Sequence, residues 1–277
     1  MSGSAGTQAE PRTLAPPARR VARVVGNAEL GAYRLIAAED REGPPDPRPG
    51  QFYMLAAAER WGGTEGRPYL PRAFSYARAR PAEAGVRLEF LLEAIGPGTE
   101  RLAGLVPGDG MALVGPLGIG FRLEQEKRPL LVGGGIGSAP LVCLQDALPG
   151  AHVLLGFRSS EHARAAELFD APRVATDDGS VGRHALVTEL LREELDRDQA
   201  AHVFACGPPP MLEAVRQICA ELGVAAQLAL ESGMACGFGA CFGCVVPTRD
   251  GYIRLCLEGP ALDAERLESA LFPGAGH

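Results

Sequence analysis

The chain has 277 residues, 46% of them apolar and 22% charged, with a formal net charge of −7. That is enough chain and enough apolar content for two ordinary domains with a small third one appended. The charge is spread without a basic block, which argues against nucleic acid as a partner, and no stretch approaches the roughly 18 consecutive apolar residues of a membrane span.

In chain order, residues 1–17 are rich in Gly, Ala, Pro and polar side chains without periodicity and read as a disordered leader. Six short strand-like runs follow: Val21–Val25, Tyr33–Ala37, Gln51–Leu55, Ala73–Ala77, Val86–Leu92 and Met111–Val114. Turn material such as Pro107-Gly-Asp-Gly110 separates them, which predicts a small antiparallel β-barrel over 18–124. The rhythm then changes to strand, glycine turn, helix. Strands are expected at Pro129–Val132, His152–Gly156, Arg173–Thr176 and His202–Ala205, with helices between them, so 127–229 reads as a parallel α/β domain. Residues 230–277 form a small C-terminal module and tail.

The most specific signal lies in that module. Cys236, Cys241, Cys244 and Cys256 are spaced C-x4-C-x2-C-x11-C, with glycines inside the first interval. A tight glycine-rich loop lets three thiolates converge while backbone N–H groups face the sulfurs, and C-x4-C-x2-C followed by a distant fourth cysteine is the plant-type 2Fe-2S pattern. Four cysteines can also close a structural zinc site, although paired C-x2-C knuckles are the commoner form there. Seven cysteines is an odd count, and the motif needs free thiolates, so a reducing compartment, the cytoplasm, is expected. The first 20 residues show no hydrophobic run ending in a cleavage site.

Three weaker motifs sit upstream. Arg72-Ala73-Phe74-Ser75 on a barrel strand is followed by Gly96-Pro-Gly98-Thr99 at a helix start. A guanidinium beside N–H groups at a helix start suits a diphosphate, and the Ser75 hydroxyl could bond a flavin ring edge; taken alone, the four-residue pattern reads better as an exposed Arg on a strand. Gly133-Gly134-Gly135-Ile136-Gly137 joins a strand to a helix and lets the backbone approach a pyrophosphate, or merely tightens the junction. Cys206-Gly207-Pro-Pro-Pro-Met211 stands at the matching strand end, where the Cys206 thiol could lie against a nicotinamide ring or simply be buried. Asp177-Asp178-Gly179-Ser180 reads as a solvated turn, and the five histidines show no metal spacing.

In combination these motifs resemble the ferredoxin-reductase superfamily, most closely the electron-transfer subunits of NAD-dependent dihydroorotate dehydrogenase B. The likeness runs from Val21 to Leu267 and is most specific in Gly115–Phe121, Gly133–Leu141, Thr176–Ser180, Ala205–Pro208, Met234–Cys241 and Glu258–Pro260. The resemblance implies FAD on the barrel, contacted by Arg72, Ala73, Phe74, Ser75, Leu91, Leu92, Glu93, Gly98 and Thr99. It implies NAD at Gly133, Gly134, Gly135, Gly137, Cys206 and Gly207, and a 2Fe-2S cluster on the four cysteines, with no acid–base residue. It further implies a partner subunit that holds FMN and oxidises dihydroorotate in pyrimidine (UMP) biosynthesis, in a heterotetramer of two plus two. A reductase subunit serving a hydrogenase or a ferredoxin-linked complex would carry nearly the same parts. Ala73 stands where the family commonly has proline, and Glu93 where arginine is frequent.

Overall fold

The computed structural model describes residues 18–62, 68–123 and 127–276. The leader expected over 1–17 lies outside the described residues. The first sheet comprises β1 (Arg19–Leu30), β2 (Tyr33–Asp40), β3 (Phe52–Ala57), β4 (Arg72–Ser75), β5 (Arg78–Pro81), β6 (Val86–Leu92) and β7 (Gly110–Leu117), with α1 (Pro97–Ala103) before the last strand. All its pairings are antiparallel, in the order β4-β3-β7-β1-β2-β6-β5. Strand β6 shows why the sheet curls around a core. Val86, Leu88 and Phe90 face inward fully buried while Arg87 and Glu89 face out, the period-two pattern of a strand with one wet face.

The second sheet is built from β8 (Arg128–Gly134), α2 (Ala139–Ala147), β9 (His152–Phe157), α3 (Ser160–Ala163), β10 (Arg173–Thr176), β11 (Arg183–His184), α4 (Val187–Arg197), β12 (Ala201–Cys206), α5 (Pro209–Leu222) and β13 (Ala225–Ala229). These strands run parallel in the order β11-β10-β9-β8-β12-β13. Leu130, Leu131 and Val132 in β8 and Val203 and Phe204 in β12 are fully buried, the continuous apolar run of strands covered on both faces. After β13 come the cluster segment, a hairpin of β14 (Val245–Thr248) and β15 (Gly251–Arg254), the one-turn α6 (Leu255–Glu258) and β16 (Ala261–Asp263). Strand β16 returns to pair antiparallel with β13, so the tail contributes an edge strand to the second sheet.

The sheets share their core. Phe52, Met54 and Leu117 of the barrel belong to one apolar cluster with Leu130, Val132, Cys244, Val246 and Cys256. Arg78 of β5 bridges to Asp146 at 2.8 Å and to the Leu168 carbonyl at 2.8 Å.

Glu213 on α5 fastens the tail. It accepts from Arg216 at 2.7 Å, Gln217 at 2.8 Å, the Ser269 hydroxyl at 3.1 Å and the Ala270 N–H at 2.7 Å. Arg216 above all, then the Ala270 N–H, outweigh the cost of burial and hold its carboxyl down at about 2, below an ordinary value of 4.5. A depressed folded-state pKa gives stability that is present above the unfolded value and lost as pH falls toward 2. Glu213→Gln should therefore cost about 2–3 kcal/mol at pH 7, in line with the linkage between pKa and stability. Urea denaturation of both proteins should show that difference shrinking from pH 4.5 downward, and a pH-independent gap would contradict this assignment.

Candidate functional site

The cluster segment has no regular structure, and its path depends on left-handed residues. Gly237 (φ 79°), Gly239 (φ 87°) and Phe242 (φ 59°) place three left-handed residues within six positions. A Cβ on Gly237 would lie 2.5 Å from Met54 Cγ, so the loop is seated directly on barrel strand β3. Arg254 closes it from the other side, donating to the Gly239 carbonyl at 2.9 Å with its guanidinium over the Phe242 ring.

The four cysteines fall into two pairs. Cys236 neighbours Cys241, and burial, which would raise its thiol, is outweighed by N–H groups of Cys241, Phe238 and Ala240 together with the Cys241 thiol, leaving it at about 7. Gly243 N–H also donates to Cys241 Sγ at 3.4 Å. Cys244 and Cys256 are both buried and contact each other; burial first, then Cys244, push the Cys256 thiol up to about 12. The β14–β15 hairpin sets Val245 opposite Arg254 and so places Cys244 beside Leu255, whose N–H donates to the Cys244 carbonyl at 3.0 Å, with Cys256 the next residue in α6. Two cysteine pairs, Cys236 with Cys241 and Cys244 with Cys256, suit a two-iron cluster, which takes two cysteine sulfurs per iron.

On the barrel, the structure joins two motifs that the sequence keeps 26 positions apart. Arg72 on β4 lies against Gly98 in the first turn of α1, so closely that a Cβ there would stand 2.7 Å from Arg72 Nε. Its Nη1 donates to the Leu70 carbonyl at 2.6 Å. Thr99 fixes the turn, its hydroxyl oxygen accepting from the N–H groups of Ile95 (3.0 Å) and Gly96 (3.1 Å). Along β4 Ala73 is exposed, while Phe74 and Ser75 are half-buried opposite Tyr53 and Phe52 of β3. Leu91 and Leu92 are buried and spend their side chains on the core, leaving backbone as their contribution to any ligand.

Between the barrel and the carboxyl ends of the parallel strands lies a cavity of about 460 Å³, bounded by Gly134 and Gly135 after β8, Pro208 and Met211 after β12, and Glu93 and Tyr33 from the barrel. Glycines pack the two loops closely together beside it. A Cβ on Gly137 would meet Gly207 Cα at 2.5 Å, and one on Gly134 would meet Met211 Sδ at 2.5 Å. Gly133 packs against Leu155 beneath the same loop. Cys206 pairs in register with Gly133, and its buried thiol is held well above the ordinary range, by burial first and then by Glu231. A larger cleft of about 740 Å³ opens at the amino ends of β9 and β10, away from both glycine loops. Ligands of open α/β sheets bind at carboxyl ends, which favours the smaller cavity.

Residues 231–268, holding all four cysteines, match the family described as the iron-sulfur cluster binding domain of dihydroorotate dehydrogenase B. The chain is 34% identical over 253 residues to the "Dihydroorotate dehydrogenase B (NAD(+)), electron transfer subunit" of Caldanaerobacter subterraneus subsp. tengcongensis, covering 89% of this chain and 97% of that protein. It belongs to this electron transfer subunit family. The Bacillus velezensis member is 37% identical, covering 79% of this chain and 86% of that one. Among solved structures, one from work on flavin-based electron bifurcation by NADH-dependent reduced ferredoxin-NADP oxidoreductase superposes with a TM-score of 0.77 at 25% identity over 90% of both chains. A ferredoxin reductase of carbazole 1,9a-dioxygenase superposes with a TM-score of 0.64 at 21% identity over 76% of this chain and 68% of that chain, a likeness of fold. The fold and the iron–sulfur domain fit FAD, NAD and a 2Fe-2S cluster.

The family fold also holds residues that sequence reasoning did not single out. Glu231, five residues before Cys236, is exposed to solvent and lies close enough to Cys206 to act on its thiol. Tyr33 and His162 meet edge to face at 5.6 Å at the cavity wall. The Asp177-Asp178 pair divides. Asp178 makes the expected turn, accepting from Ser180 Oγ at 2.6 Å and Ser180 N at 3.0 Å, whereas Asp177 lines the cavity.

Proposed function

We propose that this chain passes electrons between dihydroorotate oxidation on an FMN-containing catalytic partner and NAD, serving pyrimidine biosynthesis. The observation that carries the reading is the arrangement of one chain in which a paired-cysteine loop rests on the barrel at Met54 and a glycine-lined cavity opens where barrel and α/β sheet meet. When bound, a flavin exchanges both single electrons and pairs, which is what joins a one-electron cluster to a two-electron nicotinamide. Arg72, Gly98 and Thr99 would hold the FAD diphosphate, with Ala73, Phe74, Ser75, Leu91, Leu92 and Glu93 along the same surface. Gly133, Gly134, Gly135, Gly137 and Gly207 would let the NAD pyrophosphate approach, with Cys206 beneath. Cys236, Cys241, Cys244 and Cys256 would bind the cluster.

The work of the side chains is positioning, and none is assigned an acid or base role. Phe238 and Phe242 on the cluster loop and Tyr252 on the adjoining hairpin are exposed, which suits a partner docking on that face. The described residues contain no helix long and apolar enough to cross a membrane, and a cytoplasmic heterotetramer of two plus two is the assembly proposed.

The test is co-expression with the dihydroorotate dehydrogenase catalytic subunit of the same organism, followed by purification and assay of dihydroorotate-dependent NAD reduction. A stable complex with that activity is expected. A chain that binds FAD and iron and oxidises NADH with a dye, yet neither associates with that subunit nor supports the assay, would assign the reductase to another complex.

A further inference from the structure

Dinucleotide-binding sheets commonly set an acidic group on the adenosine ribose at the end of the second strand, or an arginine where the ribose carries a 2′-phosphate. Here the end of β9 reads Phe157-Arg158-Ser159-Ser160, a guanidinium next to two hydroxyls and no acid. On sequence alone that is a place for a 2′-phosphate. The structure turns the guanidinium elsewhere. Arg158 Nη2 lies 2.9 Å from His162 Nε2 and 3.3 Å from Glu93 Oε1, and Glu93 comes from the barrel, one residue beyond β6. His162 is itself braced by Ser159 Oγ at 3.0 Å from Nδ1 and by the Tyr33 ring. The cavity wall thus carries two carboxylates, Glu93 and Asp177, around one guanidinium that is already paired.

We infer that Glu93 is a specificity-determining residue, which makes the cavity select the dinucleotide lacking a 2′-phosphate by holding Arg158 toward the barrel and presenting its own negative charge. The inference rests on the reading of the cavity as the nicotinamide-nucleotide site. Two effects combine. The pair alone is a modest restraint, because the Arg158 side chain is 69% exposed and solvent weakens it. Glu93 is only 24% exposed, so its carboxylate acts on a phosphate dianion through less water. Removing the charge while keeping the shape should free Arg158 to meet the phosphate and remove the repulsion together.

The experiment titrates NAD and NADP by calorimetry into oxidised, FAD-loaded wild type, Glu93→Gln, Arg158→Ala and the double variant, with flavin occupancy read from absorbance. Wild type should bind NAD more tightly than NADP. In Glu93→Gln the affinity for NADP should rise about tenfold, the scale of one charge-assisted hydrogen bond, with NAD changed less than about threefold. Against Arg158→Ala alone, the double variant should gain only the smaller part, about threefold at most from the lost repulsion, because the larger part acts through Arg158. An unchanged NADP affinity in Glu93→Gln, or a gain that survives Arg158→Ala in full, overturns the inference while leaving the nucleotide site standing. Failure of wild type to bind either dinucleotide overturns the site reading and the inference with it.

Discussion

Cys256→Ser is expected to yield a protein that keeps its flavin and loses its iron. Cys256 is fully buried and faces Cys244, and the three cysteines outside the motif, Cys143, Cys206 and Cys219, are buried in α2, β12 and α5. A serine hydroxyl fits the space, and the hydrophobic cluster around it should hold, which separates loss of a ligand from loss of the fold. Losing an outer partner of a metal ligand alone costs 10–100-fold, so loss of the ligand itself should lower dihydroorotate-dependent NAD reduction by more than about 100-fold. NADH oxidation with a dye, which draws on flavin alone, should stay within about threefold of wild type. Cys219→Ala is the control, since Cys219 is buried on α5, where burial raises its thiol to about 12. It should keep iron, visible absorbance and both activities. Full iron content and full complex activity in Cys256→Ser would remove this cysteine from the ligand set.

The parts of the site that could be read from the sequence are those whose geometry is local. The spacing Cys236–Cys244 confines three thiols to nine residues, and glycines that accept positive φ make the loop possible, so chemistry and conformation are written in one short string. The barrel strands were legible through turns and apolar alternation, with one exception. Strand β5, Arg78-Ala-Arg-Pro81, is absent from the expected runs because it is polar and ends in proline, as a sheet edge permits. In the second sheet β13 was hidden because Ala225–Ala229 follows α5 after only two residues, and β16 because three residues carry no period. The Glu93–Arg158–His162 network could not be read at all. Its members lie 65 and 69 positions apart on different sheets, and only the docking of the barrel on the α/β layer brings them to one wall.

Arg72 and Gly98 form the second contact that only folding reveals, and it yields the other large effect. Gly98→Val should strip FAD from the protein almost as completely as Arg72→Ala. Gly98 is not in the left-handed region, so a side chain there strains no backbone; the penalty is purely steric. The added carbons would occupy the position of Arg72 Nε and Cζ, 2.7 and 2.8 Å away, and drive the guanidinium off the first turn of α1. A guanidinium bonded to a diphosphate contributes on the order of 1.5–3 kcal/mol, so each variant should bind FAD about 10–100-fold more weakly, read by fluorescence titration of deflavinated protein. Because both changes act through the same guanidinium, Gly98→Val combined with Arg72→Ala should cost little more than either alone, a strong departure from additivity. Two independent losses that simply add would mean that Gly98 serves FAD by another route, and full flavin in Gly98→Val would place the diphosphate away from α1.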